Sequence, residues 1–162
     1  MSNSEVTTPL PSRGGVGGGA VLFPGSFDPF TIGHADLVKR ALQIFDEIVI
    51  AIGVNEQKPG WIPVEERMRT IRDLYKDEPR VRVEKYNGLT ADFAHSIGAF
   101  AILRGVRSIK DYEYEQQIAD VNRQLTGIDT LLLFASPSLA AVSSTVVREL
   151  AHFGHDITPF LP

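Results

Sequence analysis

Short apolar runs alternate along this chain with longer segments in which apolar residues recur at helical spacing. The short runs are rich in β-branched residues and predict five β-strands, at Ala20–Phe23, Ile48–Val54, Val81–Tyr86, Phe100–Leu103 and Thr130–Ala135. The longer segments predict five helices, at 34–45, 64–75, 90–98, 110–126 and 144–153. The second and fifth strands are nearly all apolar, as expected for strands buried on both faces of a sheet.

This alternation predicts an α/β protein with one domain. We expect a Rossmann-like, doubly wound sheet of five parallel strands with helices on both faces. We assign this domain to residues 20–162, and the Ser/Thr/Pro-rich, then Gly-rich residues 1–19 to a flexible tail. Ligands bind such sheets at the carboxyl ends of the strands, near the point where the strand order reverses. The residues that follow each strand are therefore the candidates for a functional site.

Composition excludes several classes of protein. The chain has 162 residues, 43% of them hydrophobic and 22% charged, with a net charge of −4. An acidic balance argues against a protein that coats DNA or binds a membrane surface. The sequence contains no cysteine, which excludes disulfides, thiolate catalysis and Cys-ligated zinc. We see no targeting segment and no apolar run of the roughly 20 residues that cross a bilayer, so we expect a cytoplasmic protein without nucleic-acid or membrane partners.

The turn after the first strand reads FPGSFDPFTIGH, from Phe23 to His34. Its glycines, Gly25 and Gly33, are expected to let a ligand approach the backbone closely, and His34 stands where a helix begins. A helix N-terminus offers unpaired N–H groups and a partial positive charge, which suit a phosphate group. The alternative is a plain strand-to-helix turn, capped by Thr31, with a surface histidine.

Three further strand ends carry groups that suit an anion. Lys58 follows the second strand, Arg104 and Arg107 follow the fourth, and Ser143–Thr145 follow the fifth. Each has a structural alternative: a solvated lysine, an arginine pinned to a carboxylate, or a helix N-cap with spare hydroxyls. Convergence of several such ends favours a phosphate-rich ligand. The sequence has neither a P-loop motif nor a nucleophile elbow, which excludes P-loop ATP hydrolysis and triad chemistry.

The motifs at these strand ends resemble those of a known family. Thr31-Ile-Gly-His34 resembles the T/H-x-G-H signature of the nucleotidyltransferase superfamily. The fuller pattern resembles bacterial phosphopantetheine adenylyltransferases, through Pro24–His34, Arg104-Gly-Val-Arg107, Asp111-Tyr-Glu-Tyr-Glu115 and Val142-Ser-Ser-Thr145. The resemblance covers residues 20–162 and implies that ATP and 4′-phosphopantetheine give dephospho-coenzyme A and pyrophosphate, with Mg²⁺. It also implies coenzyme A as a feedback ligand and a homohexamer built as two trimers.

The resemblance implies roles for individual residues. The implied catalytic residues are His34, Lys58 and Arg104. The implied acceptor-binding residues are Ser26, Lys58, Thr90 and Arg104. The implied ATP-binding residues are Ser26, Phe27, His34, Gly105, Val106, Arg107, Glu115, Leu139, Ala140, Ala141, Val142, Ser143, Ser144 and Thr145.

The chain departs from the family pattern at two points. Leu139 stands where the family usually has an aromatic residue, which bears on adenine stacking. The sequence ends at Pro162, where the family usually continues into a C-terminal helix. The metal ligands stay unassigned: whether Asp28, Asp111 or Glu115 touches the metal is open, and the alternative for each is a hydrogen bond to backbone or to a neighbouring arginine.

The chemistry implied here needs few special residues. The attacking group is already a phosphate oxyanion, so alignment and charge screening replace a general base and a covalent intermediate. Three rivals stay open: a nucleotidyltransferase for nicotinamide mononucleotide, glycerol phosphate or phosphocholine, a non-catalytic module that senses ATP, and a purely structural α/β domain. The last of these leaves the cations at the strand ends unexplained.

Overall fold

The computed structural model describes residues 19–162, so the predicted tail lies outside the described residues except for Gly19. The described part alternates strand and helix throughout, as the sequence predicts. The strands are β1 (Ala20–Gly25), β2 (Glu47–Gly53), β3 (Val81–Tyr86), β4 (Ala101–Val106) and β5 (Asp129–Phe134). The α-helices are α1 (Ile32–Ala41), α2 (Val64–Leu74), α3 (Thr90–Ser96), α4 (Ile109–Thr126) and α5 (Ser144–His152), and short 3₁₀ turns lie at Pro137–Leu139 and Thr158–Phe160.

The five strands form one parallel sheet in the order β3-β2-β1-β4-β5. The chain first builds outward from β1 through β2 to β3, and then crosses to the other side of β1 to add β4 and β5. The strand order therefore reverses between β1 and β4. This confirms the predicted doubly wound fold and places its ligand-binding edge at the carboxyl ends of β1 and β4.

Both faces of the sheet are buried at its centre, and β2 is buried on both faces as predicted. The same prediction is wrong for β5, which has no buried residue because it is an edge strand of the sheet. One face packs Phe23, Ile50 and Leu103 against α1 and α2, whose inward residues include Val38 and Ile71. The other face packs alternate residues of the same strands against α3. Its buried members are Leu22, Val49, Ala51, Ala94, Ile97, Ala99 and Ile102. Alternate side chains of a strand point to opposite faces, so strands buried on both faces must be apolar at nearly every position.

The strand bounds correct the sequence prediction at two places. β1 continues through Pro24 to Gly25, and β4 continues to Val106, so Arg104 and Gly105 lie inside the strand rather than after it.

A methyl group on Gly25 would lie 3.0 Å from the ring of Phe27, so the space left by this glycine is filled by protein rather than by a ligand. α1 also ends at Ala41, four residues before the predicted end.

Helix α4 buries only one of its residues, Glu115. Four of its apolar residues form a stripe at a spacing of three or four residues along one face. The stripe consists of Tyr114, Ile118, Val121 and Leu125, all exposed in the single chain.

None of the helices within residues 19–162 is both long and apolar enough to cross a membrane.

Candidate active site

A cavity of about 380 Å³, which we call the main cavity, opens at the carboxyl ends of β1 and β4. Its volume lies in the range typical of small-molecule sites. The structure brings most of the implied ATP-binding residues together in its wall. Those in the wall are Ser26, Phe27, His34, Gly105, Arg107, Glu115, Leu139, Val142, Ser143, Ser144 and Thr145. Val106, Ala140 and Ala141 do not line it, and the side chain of Val106 is buried in the core.

His34 is the third residue of α1 and takes part in the N-terminal cap of that helix. The backbone N–H of Thr31 donates to Nδ1 of His34 at 2.9 Å, and Oγ1 of Thr31 accepts from the backbone N–H of His34 at 3.4 Å. This is a capping box, in which a glutamate or glutamine usually takes the third position. Thr31 is the N-cap, as the structural alternative expects, but His34 is half-buried and faces the main cavity rather than being a surface residue.

The surroundings of His34 determine its protonation. The ring packs among aromatic rings, with centroids 5.0 Å from Phe27 and 5.3 Å from Phe30. Burial, assisted by the positive charges of Arg104 and Arg107, lowers the pKa of His34 from 6.5 to about 4. At neutral pH the ring is therefore uncharged. Because Nδ1 accepts the Thr31 N–H, the ring proton is on Nε2, which is left as a hydrogen-bond donor.

We expect this half-buried, neutral histidine to make folding stability fall with acid. The unfolded chain protonates His34 near pH 6.5, whereas the folded chain resists protonation down to about pH 4. Stability is thus fully present above pH 6.5 and is lost as pH falls toward 4, by about 2 kcal/mol between pH 7 and pH 5. Urea denaturation at several pH values measures this slope. His34→Gln keeps a neutral capping side chain, and should remove this part of the slope; an unchanged slope in the variant would contradict the assignment.

Arg104 is pinned to a carboxylate and still faces the ligand space. Its Nε and Nη2 each donate to Glu115 at 2.9 Å, and its Nη1 donates to the carbonyl oxygen of Pro24 at 2.6 Å. Glu115 is 6% exposed, so α4 presents this carboxylate to β4 from inside the protein. A guanidinium has five N–H groups. The second N–H of each Nη atom is not used by these bonds. The pairing of Arg104 with a carboxylate is confirmed, and its binding of an anion stays a prediction.

A second, smaller cavity of about 140 Å³, the side cavity, adjoins the main cavity. Both cavities are lined by Pro24, Gly25, Arg104 and Glu115. Thr90 lines only the side cavity, where its Oγ1 lies 2.7 Å from the hydroxyl oxygen of Tyr86. Two of the implied acceptor-binding residues, Thr90 and Arg104, thus share this smaller cavity.

The hydroxyl groups at the start of α5 all have protein partners. Ser143 is the N-cap and its Oγ accepts from the backbone N–H of Val146 at 3.2 Å. Ser144 donates to the carbonyl oxygen of Pro29 at 2.7 Å, which ties α5 to the turn after β1. Oγ1 of Thr145 accepts from Nη2 of Arg148 at 3.3 Å. The N-cap prediction is confirmed. Ser144 ties α5 to the turn after β1, whereas the bond of Thr145 lies within α5 and leaves its O–H unused.

Lys58 is not in the wall of either cavity. It is exposed, and it lines a third cavity of about 390 Å³, which shares Ser26 and Arg148 with the main cavity. Within residues 19–162 no carboxylate forms an ion pair with Lys58. Its ammonium group thus belongs to a neighbouring cavity that meets the main cavity at Ser26, and it has no ion-pair partner in the described part of the chain.

Sequence reasoning missed Arg148 and Arg67. Arg148 lines the main cavity and donates from Nη1 to the carbonyl oxygen of Asp28 at 2.6 Å. Its signal was its position one helical turn after Ser144, on the same face of α5. Arg67 is 6% exposed and lies among the apolar inward residues of α2. An arginine at a buried helix position is rarely found without a partner, so its position in the apolar pattern could have indicated a buried ion pair.

The three carboxylates considered as metal ligands all have hydrogen-bond partners within the protein. Asp28 accepts from the backbone N–H groups of Trp61 and Ile62, and Glu115 holds Arg104. Asp111 accepts from the backbone N–H of Arg107 at 3.1 Å. The described residues include no cluster of three His, Cys, Asp or Glu side chains that could hold a metal ion.

Comparison with known proteins places this geometry in a family. The cytidylyltransferase-like family model matches residues 22–150. A phosphopantetheine adenylyltransferase of Phocaeicola vulgatus is 57% identical over 141 residues, which cover 87% of this chain and 93% of the relative. The enzyme of the same name from Bacteroides fragilis is 55% identical, over 87% of this chain and 94% of the relative.

Solved structures share the fold at low sequence identity. A bifunctional NMN adenylyltransferase/ADP ribose pyrophosphatase from Francisella tularensis is 16% identical, with a TM-score of 0.66 over 90% of this chain and 45% of that one. At this identity the match shows the fold alone. The sequence matches are far stronger and span nearly the whole length of the relatives. The chain therefore belongs to the phosphopantetheine adenylyltransferases, within the cytidylyltransferase-like family.

Proposed function

We propose that this protein transfers the adenylyl group of ATP to 4′-phosphopantetheine, giving dephospho-coenzyme A and pyrophosphate. One observation carries the proposal: two cavities of different size share a wall that holds Arg104, and His34 lines the larger one. The main cavity takes ATP, and the side cavity takes the acceptor near Thr90. The relatives named above carry this activity in their names, and the chain is more than half identical to them.

The proposed reaction is a direct in-line displacement. An oxygen of the acceptor phosphate forms a bond to the α-phosphorus, while the bond from that phosphorus to the bridging oxygen breaks and pyrophosphate leaves. The neutral ring of His34 donates its Nε2–H to an α-phosphoryl oxygen, where negative charge grows in the transition state. The free N–H groups of Arg104 hold the acceptor phosphate. No proton has to be removed from the attacking oxygen, so no general base is needed.

The start of α5 serves the leaving group in this proposal. Ser144 donates to the carbonyl oxygen of Pro29, and Arg148 donates to that of Asp28, so α5 is fastened to the turn after β1 beside the main cavity. Rigid backbone N–H groups at a helix N-terminus stabilise phosphate without reorganising. Leu139 lines the same cavity and supplies apolar contact in place of aromatic stacking.

We propose Mg²⁺ as a partner of the nucleotide. Magnesium is usually held by substrate phosphates and water with few protein ligands, and the described residues present no metal cluster of their own. No step of the displacement described above depends on a metal ligand from this chain.

Pyrophosphate release tests the reaction. ATP, Mg²⁺ and 4′-phosphopantetheine are expected to give pyrophosphate at a rate that depends on the acceptor, and EDTA is expected to abolish it. Nicotinamide mononucleotide and glycerol 3-phosphate, run in parallel, are expected to give none. Release with one of these acceptors instead would overturn the proposed substrate, and ATP binding without any release would favour the non-catalytic sensor.

We propose a homohexamer of two trimers for the assembled enzyme. The apolar stripe of α4 supports self-association, because exposed apolar patches of this kind commonly mark protein interfaces.

Coenzyme A is the proposed feedback ligand, since it combines the pantetheine arm and the adenylate that the two cavities accept separately. The cytoplasm is the proposed compartment, as the reaction consumes ATP.

A further inference from the structure

A buried ion pair outside the proposed reaction joins two loops of the site. Asp28, in the turn after β1, and Arg67, on α2, are each 6% exposed, and their charged groups approach to 3.9 Å. Neither was given a role by the sequence. Burying a pair of charges is costly unless further hydrogen bonds satisfy both groups. The hydrogen-bond partners of these two side chains therefore indicate which segments the ion pair holds together.

Every further hydrogen bond of the pair goes to backbone of the two loops. Asp28 accepts from the N–H of Trp61 at 2.7 Å and from the N–H of Ile62 at 2.8 Å. Arg67 donates from Nε to the carbonyl oxygen of Ile62 at 2.8 Å, and from Nη1 to the carbonyl oxygen of Ser26 at 2.5 Å. The pair thus fastens the segment that carries Lys58, residues 55–62, to the turn that carries Ser26.

Gly60 shows how closely this segment is held. A methyl group at Gly60 would lie 2.7 Å from Nη2 of Arg67 and 2.7 Å from Oδ2 of Asp28. The backbone of the segment therefore lies directly against the ion pair, and any larger residue must push one of the two charges away. Lys58 is two residues from this contact, with no ion pair of its own among residues 19–162.

We propose that Asp28 and Arg67 are positioning residues for the acceptor phosphate: they hold the segment of residues 55–62 so that the ammonium group of Lys58 reaches a phosphate monoester bound beside Ser26. This inference rests on the proposed function. It also accounts for a lysine in a loop outside both cavities, since a flexible side chain needs a fixed backbone origin to contribute to binding. In this role Asp28 and Arg67 act through the backbone of residues 55–62, to which their side chains bond.

Asp28→Asn is the first test, because asparagine keeps the shape but can no longer accept with both side-chain atoms. We expect the KM for 4′-phosphopantetheine to rise at least roughly tenfold, while the Kd of ATP, measured by direct titration, changes by less than about twofold. Asp129→Asn is the matched control, because Asp129 forms an exposed pair with Arg123 at the start of β5. An equal loss of ATP affinity in Asp28→Asn would overturn the inference.

Trp61 gives a readout that does not depend on turnover. It is the single tryptophan of the sequence, its side chain is 51% exposed, and its backbone N–H is one of the two held by Asp28. Release of the segment is expected to lower the fluorescence anisotropy of Trp61 in Asp28→Asn and to leave it unchanged in Asp129→Asn. Unchanged anisotropy in Asp28→Asn would show that the segment is held by other contacts.

A double-mutant cycle separates positioning from general stability. If Asp28 acts through Lys58, the double variant Asp28→Asn/Lys58→Ala is no more impaired than Lys58→Ala alone. Losses that multiply in the double variant overturn the inference while leaving the proposed function intact. If the wild-type protein itself gives no pyrophosphate with 4′-phosphopantetheine, the proposed function fails and the inference fails with it.

Gly60→Ala keeps both charges and provides a second variant should Asp28→Asn not fold. It is expected to reproduce the selective rise in KM for the acceptor and the drop in Trp61 anisotropy. Gly19→Ala is its control, since a methyl group at Gly19 makes only an ordinary contact, 3.5 Å from Phe100. Acceptor KM and Trp61 anisotropy that match those of Gly19→Ala would overturn the inference.

Discussion

His34→Ala is expected to lower kcat by at least roughly 100-fold, the scale measured when one donor to a developing oxyanion is removed. The affinity for ATP is expected to change little, because a donor aimed at growing charge contributes mainly in the transition state. The structure supports this role through the neutral ring, which lines the main cavity and whose Nδ1 is occupied by Thr31, so that Nε2–H is left as a donor. Steady-state kinetics with ATP titration by calorimetry measures both quantities.

His34→Ala also removes a helix cap, so a second variant is needed to separate the two roles. His34→Glu places at the third helical position a residue that capping boxes favour, but offers no N–H donor. We expect its thermal stability to stay near that of the wild-type protein and its kcat to stay at least as low as that of His34→Ala. Near-normal kcat in either variant would refute the catalytic role of His34.

Arg104→Met is expected to weaken 4′-phosphopantetheine binding by roughly 10- to 100-fold, as hydrogen bonds to a charged group are lost. The variant also leaves the carboxylate of Glu115 buried without its partner. Removing one member of a buried ion pair typically costs about 3 kcal/mol of folding stability or more, so urea denaturation should show a clear loss. Acceptor titration and denaturation together measure both effects.

The double variant Arg104→Met/Glu115→Leu distinguishes these effects. Replacing both members of a buried pair by apolar residues of similar volume is often neutral for stability. We therefore expect stability to return toward the wild-type value while acceptor affinity stays low. Recovery of affinity together with stability would show that Arg104 acts only through the fold, and unchanged affinity in Arg104→Met would remove it from the acceptor site.

Much of the site was predictable because its parts are local in the sequence. The motif from Pro24 to His34 joins a strand to a helix, and Thr31 caps that helix as predicted. Parallel strands bring their carboxyl ends to one edge, so His34, Arg107 and Ser143 converge as the alternation of elements implies. The bounds of β4 were harder to predict, because Arg104 and Gly105 break the apolar run while continuing the ladder with β5.

The sequence by itself determined the parallel fold, the strand ends that carry chemistry and the family. Hydrophobic periodicity and turn residues act over a few positions, so they can be read without the structure. Only the tertiary structure decided which partner each charge takes: Glu115 for Arg104, backbone of residues 55–62 for Asp28, and no carboxylate within residues 19–162 for Lys58. It also decided the neutral state of His34, since burial and the fields of distant arginines depend on segments that are brought together only when the chain folds.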